Sequence, residues 1–268
     1  MPESKPAQAG AQRAAGERSE VRIGIIGAGV MGGGIAQSTA AAGYPTVCTD
    51  IAPKALDAAK QDAESGRFGL AGAVARGKLG AAGADAARAR ITWTPKFEEA
   101  AACDLVIECV PERLDVKLRV FRELDRAAPP GAILASNTSG FPIAAMAGVT
   151  TRPERVIGWH WASPAYVMRF AEIVVTADTA PAVRDRVCEV AARCGKHPVV
   201  VKDQPMAWGF VANRVYGAML REAARVVEEG VATHEQVNQL MVDCFRWPVG
   251  PFAMVKGAGS GWGDREKS

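Results

Sequence analysis

An α/β fold, with a Rossmann-like, mainly parallel sheet followed by a small all-α C-terminal domain, is the architecture this sequence predicts. Three observations carry it. The β-branched run VRIGII at residues 21–26 leads directly into a glycine-rich turn and an Ala-rich helical stretch. Short apolar runs then alternate with helical stretches as far as about Asp203, the pattern of a parallel sheet covered on both faces. From Gly209 onward the strand-like runs stop and amphipathic helical patterns replace them.

Taken in order, residues 21–26 form a near-continuous apolar run, as expected of a strand buried on both faces. The glycine turn follows, then a helix to about Ala42. Residues 46–49 read as a second short strand closed by Asp50. Residues 52–77 are helical in character and run into an Ala- and Gly-rich loop. Further strands are expected at 105–110 (LVIECV), 132–136 (AILAS), 156–161 (VIGWHW) and 173–176, and HPVVVK at 197–202 reads as a last, buried one. A helix over 114–127 stops before Pro129 and Pro130, because proline cannot continue it. Residues 210–229 predict one long amphipathic helix ended by Gly230. Thr233, with Gln236 three residues later, makes a capping box for another helix that reaches about Phe245. The expected divisions are a disordered tail over 1–20, an α/β dinucleotide-binding domain over 21–203 and a short helical domain over 204–268.

Composition narrows the function classes. A net charge of +3 over 268 residues does not suggest a nucleic-acid binder or a membrane-surface protein. No apolar run approaches the roughly 20 residues that cross a bilayer, and the tail lacks the apolar core of a signal peptide. The cysteines at 48, 103, 109, 188, 194 and 244 form no CxxC pair, and the three histidines lie far apart. That pattern argues against a metal site or a disulfide framework and for a cytoplasmic protein.

The clearest motif is Gly27-Ala28-Gly29-Val30-Met31-Gly32. A bare GxGxxG is weak, but this one sits between a buried strand and an Ala-rich helix. Gly27 permits a tight turn, Gly29 lets the backbone approach a pyrophosphate, and Gly32 lets helix pack on strand. The helix start then offers N–H groups and a positive dipole end to phosphates. Asp50 closes the second strand, where a carboxylate accepts from the adenosine ribose and repels a 2′-phosphate, which favours NAD over NADP. Read more plainly, the glycines only shape a turn and Asp50 only caps a helix; the agreement of strand, glycines, helix and acid favours the cofactor.

Two later segments carry polar residues that a simple core would avoid. Ser136-Asn137-Thr138-Ser139 follows one buried strand, and His160 lies near the end of another, in VIGWHWASP. Glu172 stands just before the next expected strand. A carboxylate beside an imidazole fixes its tautomer and raises its basicity, and oxidation of a hydroxyl needs a base for the O–H proton. Singly, each residue has a bland reading: a histidine at a strand end is more often structural, Ser139 a turn residue, Asn213 a polar residue on a helix face. The order Ser, His, acid also suits a hydrolase triad, but no GxSxG elbow surrounds any serine.

The strings IGIIGAGVMGGGIAQ, DLVIECVPERLDVK, ASNTSG, GWHWASPAYVMRFAEIV, GKHPVVVKD, GFVANRV and WPVGPF together resemble the short-chain L-3-hydroxyacyl-CoA dehydrogenase family over roughly residues 21–252. The resemblance implies His160 as catalytic base with Glu172 as its charged partner. It implies Ser139 and Asn213 as contacts to the substrate oxygens, Asp50 as ribose ligand, and Glu112 and Lys117 as a pair beside the dinucleotide, with Asn137 on the same loop. It also implies an acyl thioester substrate and a homodimer. Departures are visible too. Ser163 stands where the family has an asparagine that contacts the nicotinamide end. The segment from Asp203 to Phe210 is about three residues longer than usual. Gly66 and Ala73 fall near family positions that hold CoA, while Arg67, Arg76 and Lys78 are available to an anionic carrier. The chain also ends sooner after GPF than is usual, so a reduced domain or a partner chain is expected to complete the pocket wall. The expected reaction is NAD-dependent oxidation of an (S)-3-hydroxyacyl-CoA, in either direction. The alternatives are the same chemistry on an acyl carrier protein, and a non-catalytic NAD-binding protein.

Overall fold

The computed structural model describes residues 21–204 and 206–255; the tail expected over 1–20 lies outside them. The elements are β1 (Ile23–Ile26), α1 (Val30–Ala41), β2 (Thr46–Thr49), α2 (Pro53–Ser65), α3 (Leu70–Ala75), α4 (Ala81–Ala89), β3 (Ile91–Thr94), α5 (Phe97–Ala101), β4 (Leu105–Glu108), α6 (Leu114–Ala127), β5 (Ile133–Ser136), α7 (Ile143–Ala147), β6 (Val156–Trp161), β7 (Phe170–Val175), α8 (Pro181–Arg193), β8 (His197–Lys202), α9 (Ala212–Glu228) and α10 (His234–Phe245). The strands make one sheet in the order β3-β2-β1-β4-β5-β6-β7-β8. β1 to β6 run parallel, β7 runs antiparallel to β6, and β8 is parallel to β7. The order 3-2-1-4-5-6 is that of a Rossmann sheet, and its switch point lies between β1 and β4.

Strand pleat divides the core. Ile23, Ile25, Leu105, Ile107, Trp159 and Ile173 face one side of the sheet, and Ile26, Val106, Leu134, Val156 and Val174 the other. Each fully buried Ile or Leu contributes roughly 2 kcal/mol relative to exposure. α9, α10 and a helical turn at 251–255 make up the C-terminal helical part, and the capping box at Thr233 and Gln236 is present.

Several sequence expectations need correction. The stretch after Gly77 is not a loop throughout: it holds α4, β3 and α5. α4 buries only Ala84 and Ala87, and such small residues leave little apolar periodicity to detect. β7 begins at Phe170, so Glu172 lies inside the strand rather than before it, because antiparallel pairing sets it opposite His160. β8 was expected to be buried; it is the outermost strand of the sheet, and Val199 and Val200 are exposed. A run of valines reads the same at an edge as in a centre, since only sheet order distinguishes them. Phe210 precedes α9 and is buried outside it.

Candidate active site

In a parallel sheet every strand delivers its last residue to the same edge. Here the turns after β1, β4 and β5 and the end of β6 meet there. The turn after β1 contains Gly27 at φ 104°, where an added Cβ would lie 2.7 Å from the Cys109 carbonyl oxygen. A Cβ at Gly32 would lie 1.7 Å from the Gly27 oxygen. At Gly29, by contrast, an added Cβ would meet nothing within 4 Å. That open backbone caps the 12-residue helix α1, so it offers both room and a positive dipole end to a pyrophosphate. Val30 is exposed and Met31 half-buried beside it. Asp50 ties the turn down: its Oδ2 accepts from the Ala28 N–H at 2.7 Å and its Oδ1 from Ala52 at 2.8 Å. Each carboxylate oxygen keeps a further acceptor site. The residues present therefore fit a dinucleotide.

Beside the turn lies a buried ion network. Lys117, 1% exposed, places its ammonium 2.8 Å from Glu108 Oε1 and 3.0 Å from Glu112 Oε2, and donates to the Val110 carbonyl. Burial pulls its pKa down, but the two carboxylates outweigh that and hold it above the usual lysine value. Glu108 also accepts from Ser136 Oγ at 2.6 Å. Glu112 Oε1 accepts from Thr138 Oγ1 at 2.6 Å and from the Ser139 N–H at 2.8 Å. Lys117 thus acts on the site through Glu112, which fixes the backbone of the Asn137–Ser139 loop. Glu108 was missed in the sequence reading, although a carboxylate inside the apolar strand LVIECV signals a buried charge with a partner.

His160 and Glu172 face each other across β6 and β7. His160 Nδ1 lies 2.8 Å from Glu172 Oε2, and both residues are buried. The other carboxylate oxygen accepts from the N–H groups of Val211 and Ala212, at 2.9 and 2.8 Å, where α9 begins. Burial pushes the Glu172 carboxyl up, but its hydrogen bonds with His160, Ala212 and Val211 prevail and hold it below the usual carboxylate range. An ionised Glu172 takes the Nδ1–H, which leaves Nε2 as the nitrogen with a free lone pair. Phe170 and Phe210 pack on the imidazole, with centroids at 5.3 and 5.9 Å.

Asn137 Oδ1 accepts from the Trp161 N–H at 2.9 Å, which links the β5 loop to the end of β6. Asn213, in the first turn of α9, donates from Nδ2 to the Ser139 carbonyl at 3.4 Å. Ser163 lines a cavity of about 550 Å³ together with Gly29, Val30, Arg67, Phe68 and Tyr166. A smaller cavity of about 250 Å³, by Asp104 and Arg155, lies at the opposite strand ends. Among the described residues no group of three or more His, Cys, Asp or Glu side chains could hold a metal ion.

The sequence matches the 3-hydroxyacyl-CoA dehydrogenase NAD-binding domain over residues 22–204 and the C-terminal domain of the same enzymes over 209–265. The chain belongs to the 3-hydroxyacyl-CoA dehydrogenase family. This family member is an NAD-dependent dehydrogenase, and its dinucleotide is NAD. It is 38% identical over 234 residues to a probable 3-hydroxybutyryl-CoA dehydrogenase of Bacillus subtilis, covering 87% of this chain and 79% of that protein. The structure of an (S)-3-hydroxybutyryl-CoA dehydrogenase from Ralstonia eutropha superposes with a TM-score of 0.83 at 34% identity, over 88% of this chain and 81% of that one. A 5-formyl-3-hydroxy-2-methylpyridine 4-carboxylate 5-dehydrogenase of Mesorhizobium japonicum is 35% identical over 246 residues, covering 88% of this chain and 75% of that protein. No described helix is long and apolar enough to cross a membrane.

Proposed function

We propose that this dehydrogenase interconverts a short-chain (S)-3-hydroxyacyl-CoA and its 3-oxoacyl-CoA, with His160 as general base. The observation that carries the reading is the buried His160–Glu172 pair, anchored on the start of α9. In the oxidation direction Nε2 of His160 takes the hydroxyl proton. Glu172 remains ionised and stabilises the imidazolium that forms. Ser139 and Asn213, linked to each other at the cleft, hold the substrate oxygens. NAD, when bound, supplies the hydride acceptor. Gly27, Gly29, Val30, Met31 and Gly32 would hold its pyrophosphate and Asp50 its ribose, while Asn137, Ser163 and Glu112, with Lys117 behind Glu112, would hold its nicotinamide half.

The 3-hydroxybutyryl-CoA relatives support a short acyl chain. Exposed Val215, Leu240 and Phe245 on α9 and α10 support a homodimer built through these helices. The described cysteines are all free thiols, which suits the cytoplasm. A second reading, the same reaction on an acyl carrier protein, is favoured by the exposed cations Arg67, Arg76 and Lys78, of which Arg67 lines the 550 Å³ cavity. The test is NADH absorbance with acetoacetyl-CoA and, separately, with an acetoacetyl carrier protein. NADH consumption with the CoA substrate, reduced by a factor on the order of 10²–10⁴ in His160→Gln, supports the main reading. Turnover of the carrier substrate alone moves the assignment to the second.

A further inference from the structure

Lys196 follows the turn that ends α8 and immediately precedes β8. It is 4% exposed, and among the described residues no carboxylate pairs with it. A buried ammonium without a counter-ion is costly unless other groups compensate it. Here the compensation comes from one loop. Lys196 Nζ donates to the Ala165 carbonyl at 2.5 Å and to the Met168 carbonyl at 2.7 Å. It also lies over the Trp161 ring, 4.9 Å from the centroid, an attraction of a cation for the ring face. The next residue adds a backbone bond, with the His197 N–H donating to the Arg169 carbonyl at 2.7 Å. Burial pushes the Lys196 pKa down to about 8.

The loop so held, residues 162–169, begins two residues after His160. Ala165 is buried against the glycine-rich start of α1: an added Cβ at Gly34 would lie 3.2 Å from the Ala165 Cβ. Ser163, Pro164 and Tyr166 line the 550 Å³ cavity together with Gly29 and Val30. If packing alone were needed at 196, an apolar side chain of similar length would supply it without the cost of burying a charge. The ammonium instead gathers two carbonyls that the loop's own turn leaves over.

We propose that Lys196 is a positioning residue of the reaction, clamping the 162–169 loop into the wall of the cleft where cofactor and substrate meet. The kinetic part rests on the functional reading above; the structural part does not. The experiment compares the full chain with Lys196→Met by hydrogen exchange and mass spectrometry over peptides spanning 162–169, alongside steady-state kinetics and NADH binding. Loss of the clamp should speed exchange in this segment about tenfold, the factor expected when hydrogen bonding of about 1.4 kcal/mol is lost, while β6 and β7 stay protected. KM for acetoacetyl-CoA should rise about tenfold and NADH, which the same loop faces through Ser163, should bind more weakly, with kcat within about twofold. A variant with unchanged exchange and unchanged KM overturns the proposal, as does faster exchange spread over the whole sheet. If Lys196→Met does not fold, Lys196→Gln, whose uncharged side chain is one bond too short to reach both carbonyls, carries the same test and the same criteria. A wild type that binds NADH yet reduces no acetoacetyl-CoA refutes the functional reading alone, and the exchange data still decide the clamp.

Discussion

Replacing Glu172 by Gln tests the core of the proposed mechanism with an almost isosteric change. The carboxylate now serves two sides: Oε2 faces His160 Nδ1 at 2.8 Å, and Oε1 accepts from the Val211 and Ala212 N–H groups. An amide has one oxygen. The two helix N–H groups demand it, so the NH₂ turns to Nδ1 and forces Nδ1 to accept. The proton moves to Nε2, the nitrogen that must take the hydroxyl proton, and the charge that stabilised the imidazolium is gone as well. Wrong-tautomer losses of this kind reach about 10⁴, and loss of general-base catalysis spans about 10²–10⁴. We therefore expect kcat to fall by a factor on the order of 10³ while the Kd for NADH stays close to wild type. Fold stability should change by only about 1 kcal/mol, since the start of α9 keeps its acceptor. NADH absorbance with acetoacetyl-CoA measures the rate, and fluorescence titration measures the cofactor. A Glu172→Gln enzyme within a factor of three of wild type in kcat would refute the pairing argument.

The same carboxylate gives a pH prediction. Its folded pKa lies below its unfolded value of about 4.3, so its contribution to stability is complete above roughly pH 5 and disappears as pH falls through the lower, folded value. The gap in Tm between wild type and Glu172→Gln should accordingly shrink between pH 6 and pH 3, and a constant gap would contradict this. Lys117→Met leaves Glu108 buried without its cation and should cost about 3–5 kcal/mol in a denaturant titration; a loss below 1 kcal/mol would mean the pair is not needed to hold the site. Gly32→Ala would bring a methyl group 1.7 Å from the Gly27 oxygen, so the cofactor turn must shift. NADH binding should weaken at least tenfold, alongside a destabilisation of about 1–3 kcal/mol, and unchanged affinity would count against the turn as the pyrophosphate seat.

Much of the fold was legible because its signals are local. Residues 156–161 and 114–127 fall where apolar run and proline stop put them, and the Thr233 capping box is present as its spacing demands. β3 and α4 were not, since a four-residue edge strand with two threonines and a helix built on alanine carry almost no periodicity. The site divides in the same way. Gly27, Gly29, Gly32 and Asp50 announce themselves through a motif that one βαβ unit satisfies on its own. Glu108 gave only the hint of a carboxylate in an apolar strand, Lys117 came through the family resemblance, and Lys196 gave no sign, because a buried charge looks like a surface one until its partners are known.

By itself the sequence determined the α/β class, the dinucleotide turn, the helical C-terminal part and the candidate residues His160, Glu172, Ser139 and Asn213. The class, the turn and the candidates His160 and Glu172 follow from patterning along the chain, which a linear reading preserves, whereas Ser139 and Asn213 follow from the family resemblance. Tertiary structure alone decided which of those residues touch. The reversal of β7 puts Glu172 opposite His160 in register, and the approach of α9 hands its first N–H groups to that carboxylate and its Asn213 to the Ser139 loop. It also decided that β8 is an edge and that Lys196 points inward onto a loop some 30 residues earlier in the chain. Contacts of that separation depend on strand order and on the direction of each strand. Both are settled by how the whole sheet buries its two faces, and no local stretch of sequence carries that information.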